Sequence, residues 1–446
     1  MLQELPSPDS SPGVSSVAVV GLGKIGLPLA AQFARKGMRV IGCDVLPDVV
    51  AAVNSGRSHI REEPGLDEAV ASAVASGKLS ATVDTAAAVA EANVAVIIVP
   101  LMVDRNGTID FGSLDAATRA AGEGLHRGGL VIYETTVPVG TTRGRLGPLL
   151  ESSSALVAGT DFHLAFSPER LYAGRIFEDL RRYPKIVGGV DAASTAHAVE
   201  FYRSVLDAEV WPVANAETAE FAKLAETTYR DVNIALANQL ALFGAARGVN
   251  ANEAFTAANS QPFSHIHRPS IGVGGHCIPV YPHFLLADSA DGDMSLVRIG
   301  RETNDRMAAV CVDRLAAALG GLEGKRVLVL GVSYREDVKE MAFSTAIPIV
   351  ELLHARGARV LVHDPLYEAA ELAQLEAEVA SLDSDPPLQV DAIVVQAFHR
   401  QYRDLDWSRF QGLRVVLDGR GDVDPQLVHQ AGARYLGVGV PEGTDT

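Results

Sequence analysis

One stretch constrains the fold more than any other. Val17-Ala18-Val19-Val20 runs straight into Gly21-Leu22-Gly23-Lys24-Ile25-Gly26. Residues 27–36 have helical composition, Gly37 is placed to stop that helix, and Arg39-Val40-Ile41-Gly42-Cys43 reads as a second strand ending at Asp44. A strand, a G-x-G-x-x-G turn, a helix, a strand and an acid in this spacing make the βαβ fingerprint of a dinucleotide site. Gly21 allows the tight turn, Gly23 lets the backbone approach a pyrophosphate, and Gly26 permits close helix–strand packing. The helix N-terminus faces the phosphates, with Lys24 and Ile25 in the same turn. Asp44 is expected to accept a ribose 2′-OH and repel a 2′-phosphate, which selects NAD over NADP.

A chain of 446 residues is expected to form two or three domains rather than one core. Its net charge of −17 argues against nucleic acid or an anionic membrane as partner. An anionic ligand would then need local basic residues, so isolated Arg and Lys near motifs carry weight. Cys43, Cys277 and Cys311 have no paired metal-ligand spacing and make no disulfide framework. No metal is expected, and a reducing, cytoplasmic compartment is. Residues 1–13, rich in Ser, Pro and acid, read as a loose tail, and no apolar run approaches a membrane span.

Strand and helix patterns go on alternating through 94–99 and 130–133, and each strand end carries a loop. Pro100-Leu101-Met102 follows the first and Glu134-Thr135-Thr136-Val137-Pro138 the second. Residues 162–166 form a further strand that delivers Ser167-Pro168-Glu169-Arg170-Leu171. Ligands of doubly wound sheets sit outside the carboxyl ends of strands, so these loops belong to the site. Glu169 there is a general-base candidate, with a structural cap as the alternative.

Residues 216–247 lack proline and read as one long helix stopped at Gly248. Phe221, Leu224, Thr228, Val232, Ala235 and Leu236 recur at helical spacing as a buried face. Lys223, Thr227 and Arg230 share another face, for which a solvated surface is the plain alternative. A second helix spans 295–319 and ends at Gly320-Gly321. The last third restarts the α/β pattern with strands at 326–330, 359–363, 391–396 and 414–417 and a helix at 345–356. Its first turn, Gly331-Val332-Ser333-Tyr334-Arg335, lacks the second glycine and is not expected to hold a dinucleotide in the same manner.

Between these units lies Gly272-Val273-Gly274-Gly275-His276-Cys277-Ile278-Pro279. Three glycines in four positions strip side chains from the approach to one cysteine, and Pro279 stiffens the exit. Either the thiol is presented for chemistry, or a Gly-rich turn holds a small packed cysteine. A nicotinamide site upstream favours chemistry, because an oxidant beside a thiol can trap an aldehyde and oxidise it again.

With the fingerprint, the S-P-E-R strand end, the lysine-bearing helix, the G-V-G-G-H-C loop and a second Rossmann-like unit in this order, the chain resembles the UDP-glucose/GDP-mannose dehydrogenase family. The resemblance runs from about Val17 onward and is strongest to the branch that oxidises UDP-N-acetylmannosamine. It implies an α/β fold of two Rossmann-like doubly wound domains joined by a long central helix and a small helical domain. The expected division is a tail at 1–13, a NAD domain at 14–213, a central helical domain at 214–321 and a nucleotide-sugar domain at 322–446.

The resemblance further implies that Cys277 is the nucleophile, Lys223 the lysine that stabilises alkoxide-like oxygen, and Glu169 the acid that activates water. Thr136 falls near the nicotinamide. Arg170, Leu171, Thr227, Arg230, Arg268, Gly272, Tyr334, Arg335 and Arg420 fall where relatives contact the nucleotide-sugar. The chain departs from the family at Thr227 (usually Asn), Tyr281 (usually Asp), Leu101 (Thr), Val49 (a basic residue) and Ala342 (Arg). Those departures imply either a rearranged site or lost activity.

The function expected is NAD-dependent four-electron oxidation of a UDP-sugar, UDP-N-acetylmannosamine favoured, by a cytoplasmic homodimer making precursors of cell-surface polysaccharide. The alternatives are a UDP-glucose 6-dehydrogenase, a two-electron relative that needs no thiol, and a catalytically silent NAD- or nucleotide-sugar-binding protein.

Overall fold

The computed structural model describes residues 15–104, 107–289 and 293–441, so the expected tail at 1–13 lies outside the described residues. The chain forms two compact units, Met1–Ala225 and Glu226–Thr446.

In the first unit, eight strands form one sheet: β1 (Ser16–Val20), β2 (Arg39–Cys43), β3 (Leu79–Thr82), β4 (Val94–Ile97), β5 (Leu130–Tyr133), β6 (His163–Phe166), β7 (Lys185–Gly189) and β8 (Val210–Pro212). Their order is β3-β2-β1-β4-β5-β6-β7-β8, parallel except that β6 and β7 pair antiparallel. Strand alternation builds both layers. Val17 and Val19 face a core with Leu27 and Phe33 of the helix Gly26–Arg35, while Ala18 and Val20 face another with Ile97 and Tyr133. Burial of both faces is what a doubly wound sheet requires. The chain order reverses between β1 and β4, which marks the switch point where a ligand is expected.

The second unit repeats the plan with β9 (Arg326–Leu330), β10 (Arg359–His363), β11 (Glu378–Val379), β12 (Ala392–Val395), β13 (Val415–Asp418) and β14 (Arg434–Gly437). All neighbours are parallel, in the order β11-β10-β9-β12-β13-β14. Again Val327 and Val329 face one core and Leu328 and Leu330 the other. The fold is therefore α/β with two Rossmann-like sheets. Strands β3, β7, β8, β11 and β14 add to those read from the sequence; β11, at two residues, is too short for a pattern.

The long helix spans Ala216–Ala245 and corrects one expectation. Phe221 and Leu236, assigned to its buried face, are each 49% exposed. The stripe that is buried runs Leu224, Thr228, Asp231, Ala235, Asn238, spaced by three and four residues. Three members are polar, and two of them, Asp231 and Asn238, find partners on a neighbouring helix. Arg301 and Asn304 of the helix Ser295–Leu319 donate to Asp231 Oδ1 at 2.5 and 2.8 Å, and Asn238 donates to Asn304 Oδ1 at 3.0 Å. Asn238 Oδ1 in turn accepts the Ser270 amide at 2.8 Å, tying the start of the cysteine loop to this helix.

Candidate active site

The glycine turn of the first unit has the shape expected of it. Gly21 is left-handed at φ +96°, and a Cβ there would meet Ile98 O at 2.9 Å. A Cβ on Gly26 would collide with Gly21 O at 1.8 Å, whereas one on Gly23 would meet nothing within 4 Å. Two glycines therefore close the turn and the third leaves open space, which is the cradle a pyrophosphate needs. Asp44 Oδ2 accepts the Leu22 amide at 3.0 Å and Oδ1 accepts the Leu46 amide at 3.0 Å. Lys24 is exposed and Ile25 half-buried in the same turn, and Thr136 is buried at the end of β5. These residues fit NAD. Val49 packs against the core that carries β1, and Leu101 against the core on the other face, so both apolar departures suit their surroundings.

A buried charged cluster fills the ends of β5, β6 and β7. Lys185 Nζ donates to Glu134 Oε2 at 2.7 Å and lies 3.4 Å from Glu169 Oε2. Tyr202 Oη donates to Glu134 Oε1 at 2.5 Å. Glu169 Oε1 accepts the Arg170 and Leu171 amides at 2.5 and 2.8 Å. Burial pushes Glu134 up to about 7, against the pull of Lys185 and with the push of Glu169. Burial also works on Glu169, but Lys185, a hydrogen bond from Glu134, the Lys223 charge and the Arg170 amide together bring it below the usual carboxylate range. Lys223 and Thr227 are buried, which removes the solvated-surface alternative for both. Sequence reasoning missed Glu134, Lys185 and Tyr202. Glu134 stood beside Thr136 in a strand-end loop, and that position was its only signal.

In the second unit, the loop before Cys277 is packed by its own chain. A Cβ on Gly274 would meet Phe343 O at 2.7 Å and Tyr334 Cβ at 2.8 Å, and one on Gly275, at φ +92°, would meet the Tyr334 ring at 3.0 Å. These two glycines thus let the loop sit on the turn after β9. Cys277 emerges half-buried, with Sγ 3.7 Å from Tyr281 Oη. Cys43 and Cys311 are sealed in the cores, and burial pushes each thiol up to about 12.

Arg420, expected at the nucleotide-sugar, spends its guanidinium on backbone. It donates to Gln396 O at 2.8 Å, Tyr334 O at 2.9 Å and Gly272 O at 3.3 Å. Arg335 Nε donates to Tyr334 Oη at 3.1 Å. Arg268 donates to Gly421 O at 2.8 Å and pairs with Asp422 at 3.3 Å. Arg268 and Arg420 both line a cavity of about 680 Å³ with His267, Phe398, Arg403 and Trp407. Arg230 pairs with Glu226 one turn back along the helix, and the Arg170 guanidinium reaches Pro184 O. Gly272 and Tyr334 are thus joined through Arg420, while Leu171 and Arg170 stand beside Glu169 in the first unit.

The second sheet copies the dinucleotide turn and then closes it. Gly331 is left-handed at φ +77°, and Val332 donates to Asp364 Oδ2 at 2.8 Å, as Leu22 does to Asp44. Asp364, however, is buried and bound by His399 Nε2 at 2.9 Å. An acid already taken inside the protein is not available to a ribose. Among the described residues, no group of three or more His, Cys, Asp or Glu could hold a metal ion.

Residues 15–206, 217–306 and 328–425 match the NAD binding domain, central domain and UDP binding domain of the UDP-glucose/GDP-mannose dehydrogenase family. The chain is 36% identical over 430 residues to UDP-N-acetyl-D-mannosamine dehydrogenase of Pyrococcus horikoshii, covering 95% of this chain and 99% of that one. It is 35% identical over 414 residues to NDP-N-acetyl-D-galactosaminuronic acid dehydrogenase of Ralstonia nicotianae, covering 91% and 96%. Among solved structures, the Pyrococcus horikoshii UDP-D-ManNAc dehydrogenase superposes with a TM-score of 0.84 at 35% identity, over 95% of this chain and 99% of that one. A UDP-glucose dehydrogenase from Pyrobaculum islandicum gives 0.84 at 31%, over 98% and 100%.

Proposed function

We propose that this chain, which belongs to the UDP-glucose/GDP-mannose dehydrogenase family and is an NAD-dependent nucleotide-sugar dehydrogenase, carries out a four-electron oxidation at C6 of a UDP-sugar. UDP-N-acetylmannosamine is the favoured substrate, supported by the similarity to the Pyrococcus horikoshii enzyme. One observation carries the four-electron assignment: of three cysteines, only Cys277 is not sealed in a core.

Gly21, Gly23, Lys24, Ile25, Gly26, Asp44 and Thr136 would hold NAD, and two molecules bound in succession would each accept one hydride, the first from the alcohol and the second from the thiohemiacetal. Lys223 steadies the negative oxygen at C6. Cys277 Sγ adds to the aldehyde carbon, giving a thiohemiacetal that is carried on as a thioester. Glu169 takes a proton from the water that attacks the thioester carbon; the C–S bond breaks, the thiolate leaves and the uronate is freed. Arg170, Leu171, Thr227, Arg230, Arg268, Gly272, Tyr334, Arg335 and Arg420 form or support the nucleotide-sugar site. Within this reading, residues 14–213 serve NAD, 214–321 carry Lys223 and Cys277, and 322–446 take the nucleotide-sugar.

The working protein is a homodimer, supported by Tyr229, Leu236, Leu240 and Phe243, all exposed on the second-unit part of the long helix. It acts in the cytoplasm, supported by three free thiols, and makes precursors of cell-surface polysaccharide. The test is a panel of UDP- and GDP-sugars with NAD, scored for NADH formed per sugar consumed. Two NADH per UDP-N-acetylmannosamine is the expected result; one NADH for every sugar, or none, would remove the reading.

A further inference from the structure

One ammonium, Lys185 Nζ, stands between two acids, 2.7 Å from Glu134 Oε2 and 3.4 Å from Glu169 Oε2. Two carboxylates on one ammonium do not both ionise without cost, so the pair holds one proton or leans on the cation. Their surroundings differ. Glu134 has no exposed surface and receives the Tyr202 hydroxyl on Oε1. Glu169 keeps 13% of its side chain exposed and receives two backbone amides on Oε1, an arrangement that favours the anion. A purely structural Lys185–Glu134 pair would be complete without Glu169.

We infer that Lys185, Glu134 and Tyr202 are positioning residues for Glu169: the shared proton is kept on the buried acid, so that the partly exposed one presents an anionic oxygen. This rests on Glu169 being the base that activates water. The groups facing Glu169 are Glu134 after β5, Lys185 on β7, Tyr202 from the helix Ala192–Val205, Lys223 from the long helix, and Arg170 beside it. Of these, Lys185 is the cation whose ammonium reaches both acids. Removing it raises the pKa of Glu169, and a base is active only above its pKa. The acid limb of turnover must then move to higher pH.

The test uses the full-length enzyme with NAD and UDP-N-acetylmannosamine, comparing Lys185→Met, Lys185→Arg and wild type from pH 4 to 9.5. Lys185→Met is expected to move the acid limb of kcat up by about one unit or more, a loss that approaches tenfold below the wild-type limb and vanishes by pH 9. KM for the sugar should hold within about twofold. Lys185→Arg should restore the limb. A limb that stays in place, or a loss equal at every pH, overturns the inference. Glu134→Gln serves if Lys185→Met does not fold: the amide stands in for the protonated acid and keeps an acceptor for Lys185, so the limb should hold or fall, and a rise overturns the inference. Glu169→Gln separates the two ideas. If that variant makes uronate at the wild-type rate, the assignment of Glu169 as base fails. If it is inactive while Lys185→Met keeps the wild-type limb, only the present inference fails.

Discussion

Asp44 Oδ2 accepts the Leu22 amide at 3.0 Å, so the acid that ends β2 is fastened to the glycine turn that follows β1. The carboxylate therefore has two tasks, fixing the turn and meeting the ribose. Asp44→Ala should weaken NAD while relieving repulsion of a 2′-phosphate. The ratio of kcat/KM for NAD over NADP should narrow by roughly tenfold or more. A wild-type enzyme that used both cofactors equally would end the case for Asp44 as selector.

Cys277→Ser leaves the packing of Gly274 and Gly275 against Tyr334 untouched and exchanges a good nucleophile for a poor one. Sulfur is intrinsically a strong nucleophile and a good leaving group, whereas a serine hydroxyl needs a dedicated base. The variant should bind NAD and the UDP-sugar but lose steady-state uronate production. Slow growth of a sugar adduct on the new serine, read by intact mass, is the expected signature. Uronate at the wild-type rate would return Cys277 to being a packed thiol.

Tyr281 Oη sits 3.7 Å from the Cys277 sulfur. If that contact belongs to a working site, Tyr281→Asp should give no gain in kcat beyond about twofold. A large gain, measured with UDP-N-acetylmannosamine and NAD, would point instead to a damaged site and favour the silent-protein alternative.

Glu220 is buried and accepts the Gly140 and Thr142 amides at 2.5 and 2.8 Å, and burial pushes it up to about 7. A pKa above that of the unfolded chain means the contribution is fully present below about 4.5 and is lost as pH rises through about 7. Urea midpoints should therefore fall across that window, and Glu220→Gln should flatten the fall by more than about 1 kcal/mol. An identical slope in the variant would show that this carboxyl does not titrate there.

Leu236 and Phe243 expose about half their surface on the long helix. Leu236→Glu should turn a dimer into monomer in light scattering without lowering the thermal midpoint of the monomer. A wild type that is monomeric at assay concentration would dispose of the homodimer.

What the sequence disclosed followed from repetition and from rare residues. Glycines at 21, 23 and 26 can be read because turn geometry forbids side chains at two of them and a ligand needs the third bare. Asp364 shows where such reading stops: it stands in the place of Asp44, yet His399, 35 residues on, has taken it inside. The polar stripe of the long helix was hidden for the same reason. Asp231 and Asn238 look solvated until Arg301 and Asn304, 70 and 66 residues away, supply their partners. Lys185 gave no signal either, because its strand was not read from the sequence and Glu134 and Glu169 meet it only through sheet order.

The three carbonyls gathered by Arg420 belong to Gln396, Gly272 and Tyr334, and none of these bonds depends on the side chain of the residue that supplies it. The joint itself therefore asks for an arginine at one end and only for main chain at the other, although Gly272 is held bare for a second reason: a Cβ there would meet Thr345 Cγ2 at 2.3 Å. A lysine there would bring three protons on one nitrogen and could not span acceptors set in different directions around a planar fork. The arginine is therefore the one side chain on which all three bonds depend, and a defect at position 420 would surface as misplacement of the cysteine loop rather than as loss of a charge.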